Sequence, residues 1–191
     1  ISASAIGIYP NHQTISYSES SDFIIKSYLA DVVQKWESKA NDFKKLKLKV
    51  SILRIGLVLS KNGGILEKLI QFNKLRIVNT IGGGNQWQSW INIDDLANMF
   101  YFIAKNKYEG IFNAVSPNPV SFNKLQDFVS NRYKKPFIKF NLSKYLFTLP
   151  FKILNILDFY YDMIASNKKV SSNKIQKLGF KFVYKSLENL K

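Results

Sequence analysis

Hydrophobic and polar residues alternate along the chain in blocks that predict strands and helices in turn. The small apolar residues from Ser2 to Ile8 predict a buried strand, and the nearly continuous apolar run from Val50 to Leu59 predicts a second one. Between them, apolar residues recur at helical spacing from Ile24 to Ala40, with an N-cap among residues 20–22. Because strands and helices alternate along the chain, the pattern favours an α/β fold with a mainly parallel sheet.

The second half of the chain continues this alternation. Spacing and turn residues predict a helix over 65–74, a strand near 76–78, a helix from Asp94 or Asp95, a strand over 110–115, a helix capped by Ser121 and a final strand over 179–184. Pro117 marks a change of subdomain, so we expect one unit over 1–116 and a small C-terminal α+β domain over 117–191. The apolar stretch 142–165 is interrupted by charges and a proline, which favours a packed helical pair or a membrane-surface helix over a transmembrane span.

The segment from Gly82 to Leu96 combines three glycines, two tryptophans and two glutamines. Glycine allows backbone conformations that other residues rarely adopt, and neither a plain surface loop nor a core strand needs this run of glycine, tryptophan and glutamine. The segment therefore predicts a pocket-lining loop packed against the start of a helix. We interpret Gln86, Ser89 and Trp90 as substrate-binding candidates, because amide, hydroxyl and indole groups suit a polar small molecule. A network that merely orders the loop is the alternative.

Arg54 lies inside an apolar strand, where an unpaired charge is costly. We therefore expect it to pair with a carboxylate, for which Asp94 or Asp95 is the suggested partner, or to contact a substrate. Asp94 or Asp95 also suits the N-cap of the helix that follows. Asn92 and Asn113 suit side-chain to backbone hydrogen bonds that fix loops.

Composition narrows the possible functions. The chain has no cysteine, which excludes disulfide scaffolds and thiolate metal sites. It has a single histidine, His12, which argues against most zinc sites and against a Ser-His-Asp catalytic triad. We therefore expect no metal, and a cytoplasmic location. The net charge is +15, but the lysines are dispersed, so we expect a solvated surface and no specific nucleic-acid partner. A basic nucleic-acid or membrane-surface module is the third, less favoured hypothesis.

Several segments, taken in order, resemble one protein family. They are Ser2–Tyr9, Trp36-Glu37, Leu53–Ser60 with Asn62-Gly63-Gly64, Gly84–Leu96, Phe112–Pro117 and Leu178-Gly179-Phe180. Together they resemble the atypical extended short-chain dehydrogenase/reductases, in the epimerase-like branch that ends in a small C-terminal domain of unknown function. The resemblance implies a Rossmann-like, doubly wound, mainly parallel sheet that binds NADP or NAD.

The chain departs from that family at the cofactor side. It contains no Gly-x-x-Gly-x-x-Gly phosphate loop, so the cradle for the pyrophosphate is absent from this chain and dinucleotide binding by it alone is doubtful. The first residue is Ile1, within the first predicted strand, and we expect that an N-terminal portion was lost or removed. The resemblance then makes this chain the C-terminal, substrate-side part of the Rossmann-like domain.

The resemblance also implies a chemistry. Ser4 corresponds to the serine that polarises a substrate oxygen, and Tyr9 offers a phenol at the end of the same strand. The superfamily's Tyr-x-x-x-Lys pair is missing from the helix after this strand, because the residue four positions after Tyr28 is Val32 and not lysine. The expected function is an NAD(P)-dependent oxidoreductase or nucleotide-sugar-epimerase-like protein of unknown small-molecule substrate, and a non-catalytic cofactor or metabolite sensor is the alternative.

Overall fold

The computed structural model describes residues 1–23, 27–61, 63–74, 77–79, 81–133, 138–140 and 166–190. In chain order its strands and α-helices are β1 (Ser2–Ala5), β2 (Ser16–Tyr17), α1 (Tyr28–Asp42), β3 (Ser51–Ile55), β4 (Leu57–Ser60), α2 (Gly64–Lys74), β5 (Ile77–Asn79), β6 (Trp87–Gln88), β7 (Trp90–Asn92), α3 (Ile93–Asn106), β8 (Gly110–Ala114), β9 (Val120–Ser121), α4 (Phe122–Tyr133), β10 (Ile138–Phe140), β11 (Lys169–Val170) and α5 (Asn173–Lys177). The α/β class predicted from the sequence is confirmed.

A parallel three-stranded sheet forms the centre of the fold, with strand order β1-β3-β8. The second parallel pair, β4 with β7, continues from it, and β5 pairs in parallel with β10. Helix α1 connects β1 to β3, which is the crossover that a parallel pair requires. The carboxyl ends of β1, β3 and β8 therefore meet at one edge of the sheet.

The apolar run that predicted a single strand is divided at Gly56 into β3 and β4. A Cβ atom at Gly56 would collide with the carbonyl oxygen of Ser89 and with the side chain of Val115. The chain changes neighbours here: Gly56 donates its N–H to the carbonyl of Ala114 (3.1 Å), and Leu57 donates to the carbonyl of Ser89 (2.8 Å). Glycine is needed because two other segments approach the backbone at this point.

The helix caps differ from those predicted. Helix α1 begins at Tyr28, and its N-cap is Ser27, whose hydroxyl accepts the N–H of Ala30 at 3.2 Å, not a residue within 20–22. Residues 24–26, expected in this helix, lie outside the described residues. Helix α3 is capped by Asn92, which accepts the N–H of Asp94 at 2.7 Å, so the prediction of an aspartate cap there was wrong. The predicted Ser121 cap of α4 is confirmed by a 3.2 Å bond from the N–H of Lys124.

Two large hydrophobic clusters fill the core on either side of β4 and β7. One contains Trp90, Leu125 and Leu187, and the other contains Met99, Phe112 and Ile175. Both clusters draw residues from before and after Pro117, and the division into 1–116 and 117–191 stays a prediction. The segment 179–184 was predicted as a strand, but it is irregular, because Asp95 accepts the backbone N–H groups of Val183 and Tyr184 (2.9 and 2.8 Å) in place of a strand partner.

The apolar stretch 142–165 lies outside the described residues. In the part of the chain that the structure describes, no helix is long and apolar enough to cross a bilayer.

Candidate functional site

A row of polar side chains crosses the central sheet at a single register. Ser4 of β1 pairs with Arg54 of β3, which pairs with Asn113 of β8. Residues at one register of parallel strands point to the same face, so these three side chains lie side by side near the carboxyl ends of their strands. Ligands of open parallel sheets bind at this edge, which makes the row the candidate functional site.

Helix α1 covers this face and adds a carboxylate to the row. Arg54 binds Glu37 in a bidentate ion pair, with Nε to Oε1 and Nη2 to Oε2 both at 2.9 Å. The hydroxyl of Ser4 donates to Oε1 of Glu37 at 2.6 Å. Glu37 thus links the serine of the first strand to the arginine of the second, in a paired geometry that is among the stronger side-chain interactions.

Tyr9 and Asn113 complete the network on the other side of Arg54. Nη1 of Arg54 donates to the phenol oxygen of Tyr9 at 3.0 Å, and that phenol donates to Oδ1 of Asn113 at 2.7 Å. The ring of Tyr9 stacks on Tyr17 (centroids 5.6 Å apart) and meets Phe23 edge to face (5.1 Å). The phenol is therefore fixed by aromatic packing as well as by hydrogen bonds.

The network is almost wholly shielded from water. Ser4 is 3% exposed, Arg54 6% and Glu37 7%. Burial works against the charge of Arg54, but its hydrogen bonds to Glu37 and Tyr9 outweigh this and raise its pKa above the ordinary value. Burial also raises the pKa of the Tyr9 phenol, an effect that the neighbouring guanidinium only partly offsets. At neutral pH the site therefore holds a guanidinium and a protonated phenol.

The partner of Arg54 differs from the one predicted. Asp94 and Asp95 were suggested, but the structure pairs Arg54 with Glu37. Asp95 is fully buried and binds the backbone of Val183 and Tyr184, while Asp94 lies at the exposed start of α3. The prediction that a buried arginine needs a carboxylate was correct, but the choice of carboxylate was wrong.

Glu37 was missed because the predicted apolar stripe of α1 was only partly right: Val33 and Ala40 are buried as predicted, but Val32 is exposed. Sequence spacing suggested that Tyr28 and Trp36 pack inward and that Glu37 lies on the surface. In the structure Tyr28 is 82% exposed and Trp36 is half exposed, whereas Glu37 is buried with Ala30, Val33 and Ala40 on the adjacent stripe of the helix. The sequence did contain a signal for the Glu37–Arg54 pair. Positions 30, 33, 37 and 40 have helical spacing, and a glutamate on such a stripe could neutralise the arginine of the apolar strand.

The predicted substrate residues are buried in the described structure. Ser89 donates to the carbonyl of Lys168 (2.9 Å) and accepts the N–H of Val170 (2.8 Å). Trp90 is fully buried and donates its indole N–H to the carbonyl of Asn118 at 2.9 Å. Gln86 is also buried. These bonds attach the loop to segments 118 and 168–170, and the substrate-binding role of Gln86, Ser89 and Trp90 stays a prediction.

His12 lies in an exposed loop, where its Nδ1 accepts the N–H groups of Thr14 and Ile15 (both 3.3 Å). Among the described residues, no group of three or more histidine or acidic side chains is placed to hold a metal ion.

Comparisons with known proteins show what the sequence and the fold are similar to. No family model matches the chain. An SDR39U1 homologue of the epimerase family from Arabidopsis thaliana, described as chloroplastic, is 32% identical over 190 residues, which is 99% of this chain and 52% of the relative. An epimerase family protein of Staphylococcus epidermidis is 35% identical over 189 residues, or 98% of this chain and 60% of the relative.

A solved structure shows the same fold. Human epimerase family protein SDR39U1 (isoform 2), solved with NADPH, superposes with a TM-score of 0.81 and 23% identity, over 98% of this chain and 61% of that one. The chain spans about half to three fifths of the length of the relatives it matches. Its own sequence matches them almost from end to end, and its parallel sheet is the Rossmann-like sheet that the motifs implied. The resemblance to the epimerase-like, atypical extended branch of the short-chain dehydrogenase/reductases is therefore confirmed.

Proposed function

We propose that the protein is an NAD(P)-dependent oxidoreductase or nucleotide-sugar-epimerase-like enzyme, and that this chain forms its substrate-side portion. The observation that carries this proposal is the hydrogen bond from Ser4 to the arginine-bound carboxylate of Glu37, at the carboxyl edge of a parallel sheet. A serine bonded to a carboxylate is equipped to exchange a proton with a substrate hydroxyl or carbonyl oxygen. The human neighbour's NADPH supports a nicotinamide cofactor, NADP or NAD.

Each polar side chain then has a distinct task. Ser4 donates to a substrate oxygen when its O–H turns away from Glu37, and the carboxylate remains fixed by its two bonds to Arg54. Tyr9 supplies the phenol of the site, held beside a permanent cation. The superfamily's usual acid is a tyrosine whose phenol lies beside a lysine, and in this chain the cation beside the Tyr9 phenol is Arg54. Gln86, Ser89 and Trp90 are the proposed substrate-side residues on the neighbouring loop.

The residues of this chain do not fit the phosphate half of a dinucleotide. The chain has no Gly-x-x-Gly-x-x-Gly turn. The glycines of the turn between β4 and α2 are used otherwise, since Gly63 and Gly64 form bridges back to Ser60 and Leu59. We therefore assign the pyrophosphate site to residues outside this chain.

A binding experiment tests the proposal. The natural polypeptide that contains these 191 residues is titrated with NADPH and with NADH, and a shift in nicotinamide fluorescence is expected with at least one of them. Turnover is then measured on a panel of nucleotide sugars and small carbonyl compounds. Ser4→Ala should retain cofactor binding and lose about 10²–10⁴-fold in turnover, the usual contribution of a positioned acid or base.

Ser2→Ala is the matched control, because it changes the same residue type in the same strand and, among the described residues, the Ser2 hydroxyl bonds only to the carbonyl of Ala3. Equal loss in both variants, or no response to either nicotinamide, would contradict the proposal.

A non-catalytic cofactor or metabolite sensor is the second candidate function. It is favoured by the near-complete burial of Ser4, whose hydroxyl already bonds to Glu37. The same experiment separates the two functions. A sensor binds a nicotinamide cofactor and shows no turnover across the whole panel, and Ser4→Ala then has no activity to lose.

A further inference from the structure

Two residues of the C-terminal segment connect the two sides of the candidate site. One side is the turn of residues 7–12, which follows the serine strand β1. The other side is the loop of residues 84–90, which carries the proposed substrate-side residues. Asn167 and Lys168 lie between them and hydrogen-bond to both, and we call this pair the clasp.

The side chain of Lys168 holds the turn after β1. Its ammonium donates to the carbonyl of Gly7 at 3.0 Å and to the carbonyl of Tyr9 at 2.8 Å. An ammonium is a compact group with several donors, so it can bind two carbonyls of one turn at once. Because the phenol of Tyr9 meets Arg54, the lysine fixes the backbone of a residue that belongs to the candidate site.

The backbone of Lys168 holds the opposite side. Its N–H donates to the carbonyl of Trp87 at 3.0 Å, and its carbonyl accepts the hydroxyl of Ser89 at 2.9 Å. A single residue therefore binds the turn of residues 7–12 with its side chain and the loop of residues 84–90 with its backbone.

Asn167 makes the same connection with the two parts exchanged. Its backbone binds the turn, since its N–H donates to Oδ1 of Asn11 at 2.7 Å and its carbonyl accepts the N–H of His12 at 3.0 Å. Its side chain binds the loop, where Oδ1 accepts the N–H of Trp87 at 2.8 Å. Trp87 thus gives its N–H to one residue of the clasp and its carbonyl to the other, Lys168.

The residues that follow the clasp support Tyr9 as well. Val170 pairs with Tyr17, whose ring stacks on that of Tyr9 with the centroids 5.6 Å apart. The carbonyl of Ser171 accepts the side-chain amide of Asn113 at 3.0 Å, and the oxygen of this amide accepts the phenol of Tyr9 at 2.7 Å. One continuous segment therefore holds the loop, the turn and the surroundings of the phenol.

We propose that Asn167 and Lys168 are positioning residues of the candidate site, which align the loop of residues 84–90 with the serine strand so that the loop can bind the substrate. The inference rests on the proposed function. Groups that bind a substrate need support from hydrogen bonds behind them, and a misplacement of about 1 Å costs roughly 100-fold. The clasp supplies this support without touching the Ser4 hydroxyl, which bonds to Glu37.

Steady-state kinetics of clasp variants test the inference, in the natural polypeptide that contains these 191 residues and with the panel compound that it turns over. Lys168→Met keeps the apolar stem and loses the ammonium. Asn167→Leu loses the acceptor for the N–H of Trp87. Each variant is expected to raise KM about 10–100-fold and to leave kcat within about threefold, because the loop loses its alignment while the bond between Ser4 and Glu37 remains.

Two further variants separate positioning from general stability. Lys177→Met removes an exposed lysine of α5 and should leave both kinetic constants unchanged. Asn167→Asp retains the side-chain acceptor, so its KM should stay within about threefold of that of the unmodified protein. A variant that is merely less stable behaves differently, since its unfolded fraction lowers the apparent kcat at an unchanged KM.

The inference is overturned if KM does not rise in the clasp variants, if kcat alone falls, or if Asn167→Asp raises KM as much as Asn167→Leu does. If Lys168→Met does not fold, the comparison of Asn167→Leu with Asn167→Asp decides. Absence of turnover in the unmodified protein contradicts the proposed function and this inference with it. Turnover with an unchanged KM in the clasp variants contradicts this inference alone.

Discussion

At the scale of single residues, the central fact is a buried guanidinium with a hydrogen bond from each of its three nitrogens. Arg54 meets Glu37 through two nitrogens and Tyr9 through the third. A buried ion pair is not in itself a strong source of stability, since desolvation offsets much of its attraction, but breaking one leaves a charge without compensation. A single substitution of Glu37 or Arg54 should therefore lower the free energy of unfolding much more than replacement of both residues together.

We expect Glu37→Gln to lower the free energy of unfolding by about 3–5 kcal/mol, because Arg54 loses its countercharge in a buried site. Urea denaturation followed by circular dichroism measures this. Asp42→Asn, which breaks the exposed pairs with Lys39 and Lys45, serves as the control and should have little effect. The double variant Glu37→Leu/Arg54→Met should be more stable than Glu37→Gln. If Glu37→Gln matches Asp42→Asn, the pair is not structurally important.

Tyr9 should make the free energy of unfolding depend on pH in the alkaline range. Its pKa in the folded chain is raised above the ordinary 10.0, so the native state holds this proton more tightly than the unfolded state does. The resulting stabilisation is complete below about pH 10 and is lost as pH rises through the folded-state value. Urea midpoints between pH 8 and pH 11 should therefore decline less steeply in Tyr9→Phe than in the unmodified chain. Tyr28→Phe, at an exposed position, should keep the original slope.

At the scale of elements, the break between β3 and β4 shows how one residue can redirect a strand. Gly56→Ala should destabilise the fold by about 1–3 kcal/mol, since a methyl group cannot be accommodated between Ser89 and Val115 without moving backbone. Gly7→Ala is the matched control, because its added Cβ meets only Val33, at an ordinary 3.8 Å. Thermal melts of the two variants give the comparison, and equal melting temperatures would show that the crossing tolerates extra volume.

The same elements show how far sequence patterns reach. Helices α1 to α4 and strands β1, β3, β4, β5 and β8 were predictable, since hydrophobic periodicity depends on burial, whereas the other, two- or three-residue strands and α5 were not predicted. The division at Gly56 was not, because it depends on the approach of Ser89, some thirty positions away. The buried face of α1 was only partly predicted, since Val33 and Ala40 are buried as expected but Tyr28, Val32 and Trp36 are exposed. Tertiary contacts with β1 and β3 selected the stripe that contains Glu37.

For the candidate site, the sequence indicated Ser4, Tyr9 and Arg54 individually. Their connection was not visible, because it passes through a glutamate 33 positions from Ser4 and an asparagine 104 positions from Tyr9. Residue types and local spacing carry no information on which distant side chains meet. The register of three parallel strands supplies that information, and it follows from the fold.

At the scale of the whole molecule, the C-terminal residues 166–190 share hydrophobic clusters with residues from before Pro117. Val170, Ile175, Phe180 and Leu187 all lie in hydrophobic clusters with residues from before Pro117. A variant ending at residue 165 should therefore lose cooperative unfolding, and a chain of residues 1–116 should also fail to fold. Circular dichroism melts and dispersion of amide NMR signals test this. A cooperative melt of 1–116 would show instead that the predicted first unit is an independent domain.

The polar row also has a consequence for how the sheet assembles. If β1 slipped by one residue against β3, Ala3 or Ala5 would take the place of Ser4 opposite Arg54, and the hydroxyl that meets Glu37 would turn to the other face of the sheet. A misaligned pairing would leave polar groups of the Arg54 and Glu37 pair without a partner in a dry interior, which is expensive. The row of Ser4, Arg54 and Asn113 therefore favours the observed register of β1 over registers shifted by one residue. The other small residues of β1 would not distinguish these registers.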